Sequence, residues 1–332
     1  MFEGKIIPGY RHQPGFHCAS SAIRNVLAFR GLRVSEPAVI GLGRGPGFFY
    51  QVIDHRPSRL VHMRHLALEE NFFRTVGLKF AWRETEDNAE ATRLAKEAVD
   101  RGQPVLIQTD IVHLPYFHTD QHFPGHAVVI CGYDDAKGEF FVSDTLHPEA
   151  LAVAVPDMEL ARSAVFPPFV LKNKFFILED LSGFRIDEEV VRGAIRRWAG
   201  ENLNGIPGLY SAYGIRSLEK LIGDLPRWRE APDWQWSARF TYQIIERRGT
   251  GGAGFRTLYR QFLEEKEAEY PALGELGLSG DMAVIEGIYH DVAAVFRRIS
   301  EGEAPDFSPA VPVLEPLLAR ERAFYQKILR VL

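Results

Sequence analysis

The stretch QPGFHCASSAIRNVLAFRG, residues 13–31, sets a cysteine at the head of an amphipathic helix. Ala19, Ala22, Ile23, Val26 and Leu27 recur at the spacing of one helical face. Gly31 provides a stop after them, and the Pro14–Gly15 turn starts the helix near Cys18. That position has a chemical use. An ordinary thiol near pKa 8.5 is only about 3% thiolate at pH 7. The partial positive charge of a helix N-terminus lowers that pKa, and a nearby imidazolium lowers it further. The unpaired N–H groups there also suit an oxyanion. Gln13, five residues upstream, offers a second donor from its side-chain amide. A small core cysteine would fit the same stretch, so the reading turns on what else the chain brings to Cys18.

A base and its partner are found in GHAVVICGYDDAKGEFFVSD, residues 125–144, where two apolar runs flank a polar turn. This is a β-hairpin pattern. With Tyr133 opposite Glu139, the register sets His126 opposite about residue 146, and Asp144 lies one diagonal step away. His126 is then the candidate base and Asp144 the carboxylate that fixes its tautomer. A surface hairpin ending in His and Asp is the plainer alternative.

Composition bounds the rest. The chain has 332 residues, 46% hydrophobic and 25% charged, with a formal net charge of -5. Such a balance offers no basic field for nucleic acid. No apolar run approaches the roughly 18 residues of a membrane span, and the first residues lack the apolar core of a secretory signal. Cys18 and Cys131 are the two cysteines. A disulfide framework is excluded, and a reducing, cytoplasmic setting is the expectation. Ten of the eleven histidines precede residue 150, which directs the search for near-neutral chemistry to the first half.

Residues 1–182 read as mixed α/β, with a helix over 87–101 and strands at 104–110, 126–133, 139–144 and 174–180. Residues 183–332 carry helical periodicity, with helices at 255–268, 283–299 and 309–331. The fold class is therefore α+β, a catalytic domain over 1–182 followed by a helical domain over 183–332. The glycine-rich 41–50 is either a packed turn or a substrate-pocket wall, with Gly45 allowing close approach and Phe48 and Tyr50 lining it. Asp110 and Tyr116, at and after the end of the strand at 104–110, are candidate substrate contacts. His113, His118, His122 and His126 are interrupted by Pro115, Pro124 and Gly125, so no single helix presents them to a metal. GTGGAG, 249–254, fits a dinucleotide-binding string but lacks the strand-to-helix context, and reads as a loop. No metal or cofactor is expected.

The order Gln, Cys, His, Asp resembles papain-like cysteine enzymes and is similar to the peptidase domains of bacteriocin-processing transporters. A wider resemblance covers the whole chain. HCASSAIRNVL, GLGRGPGFFY, VLIQTDIVHLPYF and GHAVVICGYDD resemble the N-terminal domain of the butirosin-biosynthesis protein H family. GIRSLEKLIGDLPRW and GTGGAGFRTLYRQFLEE resemble the helical domain that follows it there. The resemblance implies a papain-like domain with the nucleophile helix at its N-terminus. It also implies an acyltransferase that moves an aminoacyl group from an acyl-carrier-protein phosphopantetheine thioester to an amine of a small molecule. Carried over, Cys18 is the nucleophile, His126 the base and Asp144 its orienter. Gln13 stands one residue closer to the cysteine than papain-like spacing has it. A hydrolase using water as acceptor, or a carrier-binding scaffold, shares these motifs.

Overall fold

The computed structural model describes residues 4–166, 169–206 and 213–332. Strands run in chain order as β1 (Lys5–Ile6), β2 (Pro46–Val52), β3 (Arg59–Arg64), β4 (Val105–Asp110), β5 (Pro124–Asp134), β6 (Glu139–Ser143), β7 (Leu151–Ala154), β8 (Val165–Phe166), β9 (Phe169–Val170) and β10 (Phe175–Phe176). The chain divides into two compact units, 1–36 with 78–184, and 37–77 with 185–332.

The first unit is built on an antiparallel sheet in the order β10-β4-β5-β6-β7, with β1 also paired to β5. β5 is central because its apolar run, AVVIC, is buried on both faces. Val128 and Ile130 pack with Phe140 and Val142 of β6, Val105 and Ile107 of β4, and Ala95, Ala98 and Val99 of the helix Asn88–Asp100. Asp87 starts that helix by accepting from the N–H groups of Ala89 and Glu90, an N-cap that satisfies two donors left without helical partners. The helix Cys18–Phe29 buries the predicted stripe, Ala19, Ala22, Ile23, Val26 and Leu27. The run 174–180 is strand only at Phe175–Phe176.

The register of the β5–β6 hairpin differs at its turn. Asp134 pairs Glu139 and Tyr133 pairs Phe140, one residue away from the expected pairing. A bulge between Ile130 and Gly132 then shifts the ladder, so that Val129 faces Ser143. Beyond the bulge the register matches the expectation.

The second unit takes in residues from both sides of the expected division at residue 182. Residues 37–77 pack with the helices of 185–332. A lone two-stranded hairpin is marginal in water, and β2–β3 is held by residues far along the chain. Trp198 Nε1 donates to the Pro46 carbonyl at 2.7 Å, and Trp228 Nε1 to the Tyr50 hydroxyl at 3.0 Å. Tyr50 also donates to Asp224, and its ring stacks on Trp228. The predicted helices are found at Arg256–Glu269, Leu278–Glu301 and Val311–Val331, and a helix that was not predicted runs over Ile215–Trp228. GTGGAG is a packed loop here: Gly254, at φ +57°, lies against Met63 with no room for a Cβ.

At the centre of this unit Arg256 is fully buried. It donates to the carbonyls of Gly47 and Gly254 and to Glu321, each at 2.9 Å. Removing one partner of a buried pair leaves an uncompensated charge, at a cost of about 3–5 kcal/mol. Glu321→Ala should therefore lower the urea midpoint followed by far-ultraviolet circular dichroism. A midpoint equal to that of the parent would mean that the pair contributes nothing.

Candidate active site

Cys18 is the first residue of the helix Cys18–Phe29, and His17 is its N-cap. The cap is made by the His17 ring, whose Nδ1 accepts from the Ser20 N–H at 3.3 Å. A buried carboxylate fixes the approach to it. Glu36 accepts from the His17 N–H at 2.9 Å, the Phe16 N–H at 3.1 Å and the Ser20 hydroxyl at 2.9 Å. A Cβ on Gly15 would strike Glu36 and Ser21, so only glycine lets the chain pass this close. Gly15 N–H also donates to the Thr145 carbonyl at 2.8 Å, tying the loop before Cys18 to the residue after Asp144.

His126 stands near the start of β5 and Asp144 directly follows β6. Nε2 of His126 lies 2.9 and 2.8 Å from the two oxygens of Asp144. That leaves Nδ1 as the nitrogen available to the Cys18 thiol, with which His126 also hydrogen-bonds. Asp144 accepts further from Tyr116 at 2.7 Å and Thr145 at 2.9 Å. Both members are buried, His126 at 8% and Asp144 at 2% exposure, so their pairing is weakly screened by water. The Phe117 ring and the imidazole pack edge to face, their centroids 5.1 Å apart.

Electrostatics follow from this arrangement. Burial works against a charged His126, but the Asp144 charge and hydrogen bonds outweigh it and raise its pKa to about 10. Burial likewise disfavours the Cys18 thiolate, yet His17 and His126 together hold the thiol well below its ordinary range. Burial pushes Asp144 up, while His126, Tyr116 and Thr145 bring it below the usual carboxylate value. These shifts favour a thiolate beside an imidazolium. The N–H groups of Cys18 and Ala19, in the first helical turn, have no intrahelical acceptor.

The other sequence candidates fall elsewhere. Gln13 is exposed and is held through its main chain, its carbonyl accepting from Asn25 at 3.1 Å and its N–H donating there at 3.4 Å. The hydrogen bonds that place Gln13 are thus those of its main chain. Tyr116 is brought to the site, but it holds Asp144. Asp110 is wholly buried and pins the 111–123 loop, accepting from the Phe123 N–H at 2.8 Å and bonding His122 at 2.6 Å. Its carboxylate is occupied and is not open to an acceptor. Gly45, Phe48 and Tyr50 belong to the second unit; Phe48 and Tyr50 are buried in its core, so 41–50 is a packed turn running into β2. No group of three or more His, Cys, Asp or Glu placed to hold a metal occurs among the described residues. No helix among them is long and apolar enough to cross a membrane. His17 and Glu36 were missed, although the cap position just before Cys18 was a usable signal for His17.

Two family models match the chain. One, Butirosin biosynthesis protein H, N-terminal, covers residues 17–145. The other, Domain of unknown function (DUF4872), covers residues 156–328. The chain belongs to the butirosin biosynthesis protein H family. Membership implies a role in butirosin-type antibiotic biosynthesis. The N-terminal family match opens one residue before Cys18 and closes one after Asp144, so it brackets all three residues of the site. No curated protein matches the chain closely enough to count as a relative.

Asp144→Asn keeps the burial that lowers the His126 pKa and removes the charge that raises it. The imidazolium then gives up its proton at lower pH, and Cys18 ionises less readily. The midpoint of the pH dependence of Cys18 alkylation by iodoacetamide should move up by about one pH unit or more. An unchanged midpoint would show that Asp144 does not support the ion pair.

Proposed function

We propose that this protein is a cysteine-dependent acyltransferase of papain-like arrangement. It takes an acyl or aminoacyl group from an acyl-carrier-protein thioester through a Cys18 acyl-enzyme and passes it to a small-molecule amine. The observation that carries this reading is the placement of Cys18 at a helix N-terminus beside His126, which Asp144 orients through Nε2. Family membership supports the biosynthetic setting.

The chemistry follows from the geometry. The Cys18 thiolate attacks the thioester carbonyl, forming a C–S bond and moving the carbonyl electron pair onto oxygen. Collapse of the intermediate expels the carrier thiol, which leaves with the Nδ1 proton of His126. Neutral His126 now takes a proton from the incoming amine as its nitrogen attacks the acyl-enzyme. The tetrahedral adduct releases Cys18 as thiolate and leaves His126 protonated, which restores the resting pair. Asp144 keeps Nε2 protonated throughout, so Nδ1 is the nitrogen that cycles. Water in place of the amine would give hydrolysis by the same steps, and shielding of the acyl-enzyme decides between them.

Turnover should rise with pH as Cys18 ionises, below the ordinary thiol range, and fall as His126 loses its proton near about 10. Incubation of the full chain with an acyl-carrier thioester should give one acyl adduct by intact-protein mass spectrometry. Added amine should discharge that adduct as amide. Cys18→Ala should form no adduct and show no turnover. An adduct of equal yield on Cys18→Ala, or full turnover by it, would dismiss the acyl-enzyme. Discharge only to the free acid with every amine offered would favour the hydrolase.

A further inference from the structure

Cys18 has a second imidazole beside it. His17 Nε2 lies 3.9 Å from the Cys18 sulfur, on the ring opposite the nitrogen that caps the helix. The cap decides where the proton is. The Ser20 main-chain N–H can only donate, so the Nδ1 it meets is an acceptor, and the His17 proton is carried on Nε2. The ring is buried, at 5% exposure, and its main chain is clamped from the other side by Glu36. Its direction toward the sulfur is therefore set before any substrate arrives.

We propose that His17 is a second catalytic imidazole, donating its Nε2–H to the Cys18 thiolate at rest and to the carbonyl oxygen once the sulfur has attacked. The second half of this assignment rests on the acyl-transfer reading above; the first half does not. Forming the C–S bond takes the negative charge off sulfur and places it on the former carbonyl oxygen. A donor already beside the sulfur is in reach of that oxygen. When the intermediate collapses, the charge leaves with the carrier thiolate, which takes its proton from His126. His17 gives up no proton in either step. The division of labour follows from the tautomers: His126 presents Nδ1 for proton transfer, and His17 presents an N–H fixed by its cap. In this way His17 supplies the side-chain donor that Gln13, exposed and turned to other work, does not.

The groups facing the sulfur are His17 from the cap and His126 from β5, with Glu36 and Asp144 behind them. A test must remove the donor and keep the cap. Asparagine caps helices well, through a side-chain oxygen that accepts from the same N–H groups. His17→Asn should therefore keep the helix Cys18–Phe29 and lose the donor at sulfur. The full chain and the variant are compared in the pH dependence of iodoacetamide alkylation at Cys18, with thermal melting as the folding control. The expected result is a parent-like melt with the alkylation midpoint moved up by about one pH unit or more. His17→Gln, which reaches farther and carries an amide N–H, should recover part of the shift if the variant melts normally. An alkylation midpoint equal to that of the parent in folded His17→Asn overturns the assignment. With an acyl-pantetheine thioester as probe, adduct formation by His17→Asn should slow with KM little changed. A shifted alkylation midpoint together with no adduct even on the parent would remove the acyl-transfer reading and leave His17 as the thiolate donor. A shifted midpoint with adduct formation as fast as the parent would confine His17 to the thiolate and overturn its oxyanion role.

Discussion

The buried contact between His126 and Asp144 is the constraint around which the first unit is arranged. It joins two adjacent strands of the sheet at the point where their pairing ends, Ser143 being the last residue of β6. Asp144 has left the ladder and needs other partners, which Tyr116, Thr145 and His126 supply. A carboxylate with that many donors can stay ionised at 2% exposure. Once ionised, it holds the imidazolium, and the imidazolium in turn favours the thiolate. The loop of residues 111–123, pinned by Asp110, exists in this scheme to deliver Tyr116 to the carboxylate and Phe117 to the ring.

The proximity of Cys18, His126 and Asp144 was legible because it depends on local pattern. A helix stripe, a capping position and a hairpin each leave a short-range signature, and each places one reactive residue. The hairpin reading even survived an error at its turn. Pairing Tyr133 with Glu139 was wrong by one residue, but the bulge between Ile130 and Gly132 absorbs that residue, and His126 and Asp144 meet regardless. What the sequence could not show are the contacts made across long separations. Tyr50 resembled a pocket wall because nothing near it in sequence names Asp224 or Trp228 as its partners. Residues 37–77 resembled part of the first domain for the same reason: their anchors, Trp198, Trp228 and Arg256, lie more than a hundred residues on. Gln13 was chosen as an amide just upstream of Cys18, and that place in the chain does not reveal that its main chain is bound to Asn25.

Glu36 poses the remaining physical question, since a buried carboxylate at the head of the nucleophile helix opposes a thiolate in the same place. Its charge is offset in two ways. Its oxygens accept from two main-chain N–H groups and from the hydroxyls of Ser20 and Ser21, which disperses the charge away from sulfur. Arg24, itself buried, lies 3.7 Å from it and carries the balancing charge. Arg24 is in turn held by the carbonyls of Gln13 and Pro14, so the cation cannot swing out to water without releasing the loop. The helix positive end is thereby left for Cys18, while Glu36 is used up in fixing the backbone of Phe16 and His17. Two carboxylates thus serve one sulfur in different ways. Asp144 acts through the charge it lends to His126. Glu36 acts through the positions it gives to the cap, and its own charge has to be cancelled for the thiolate to form.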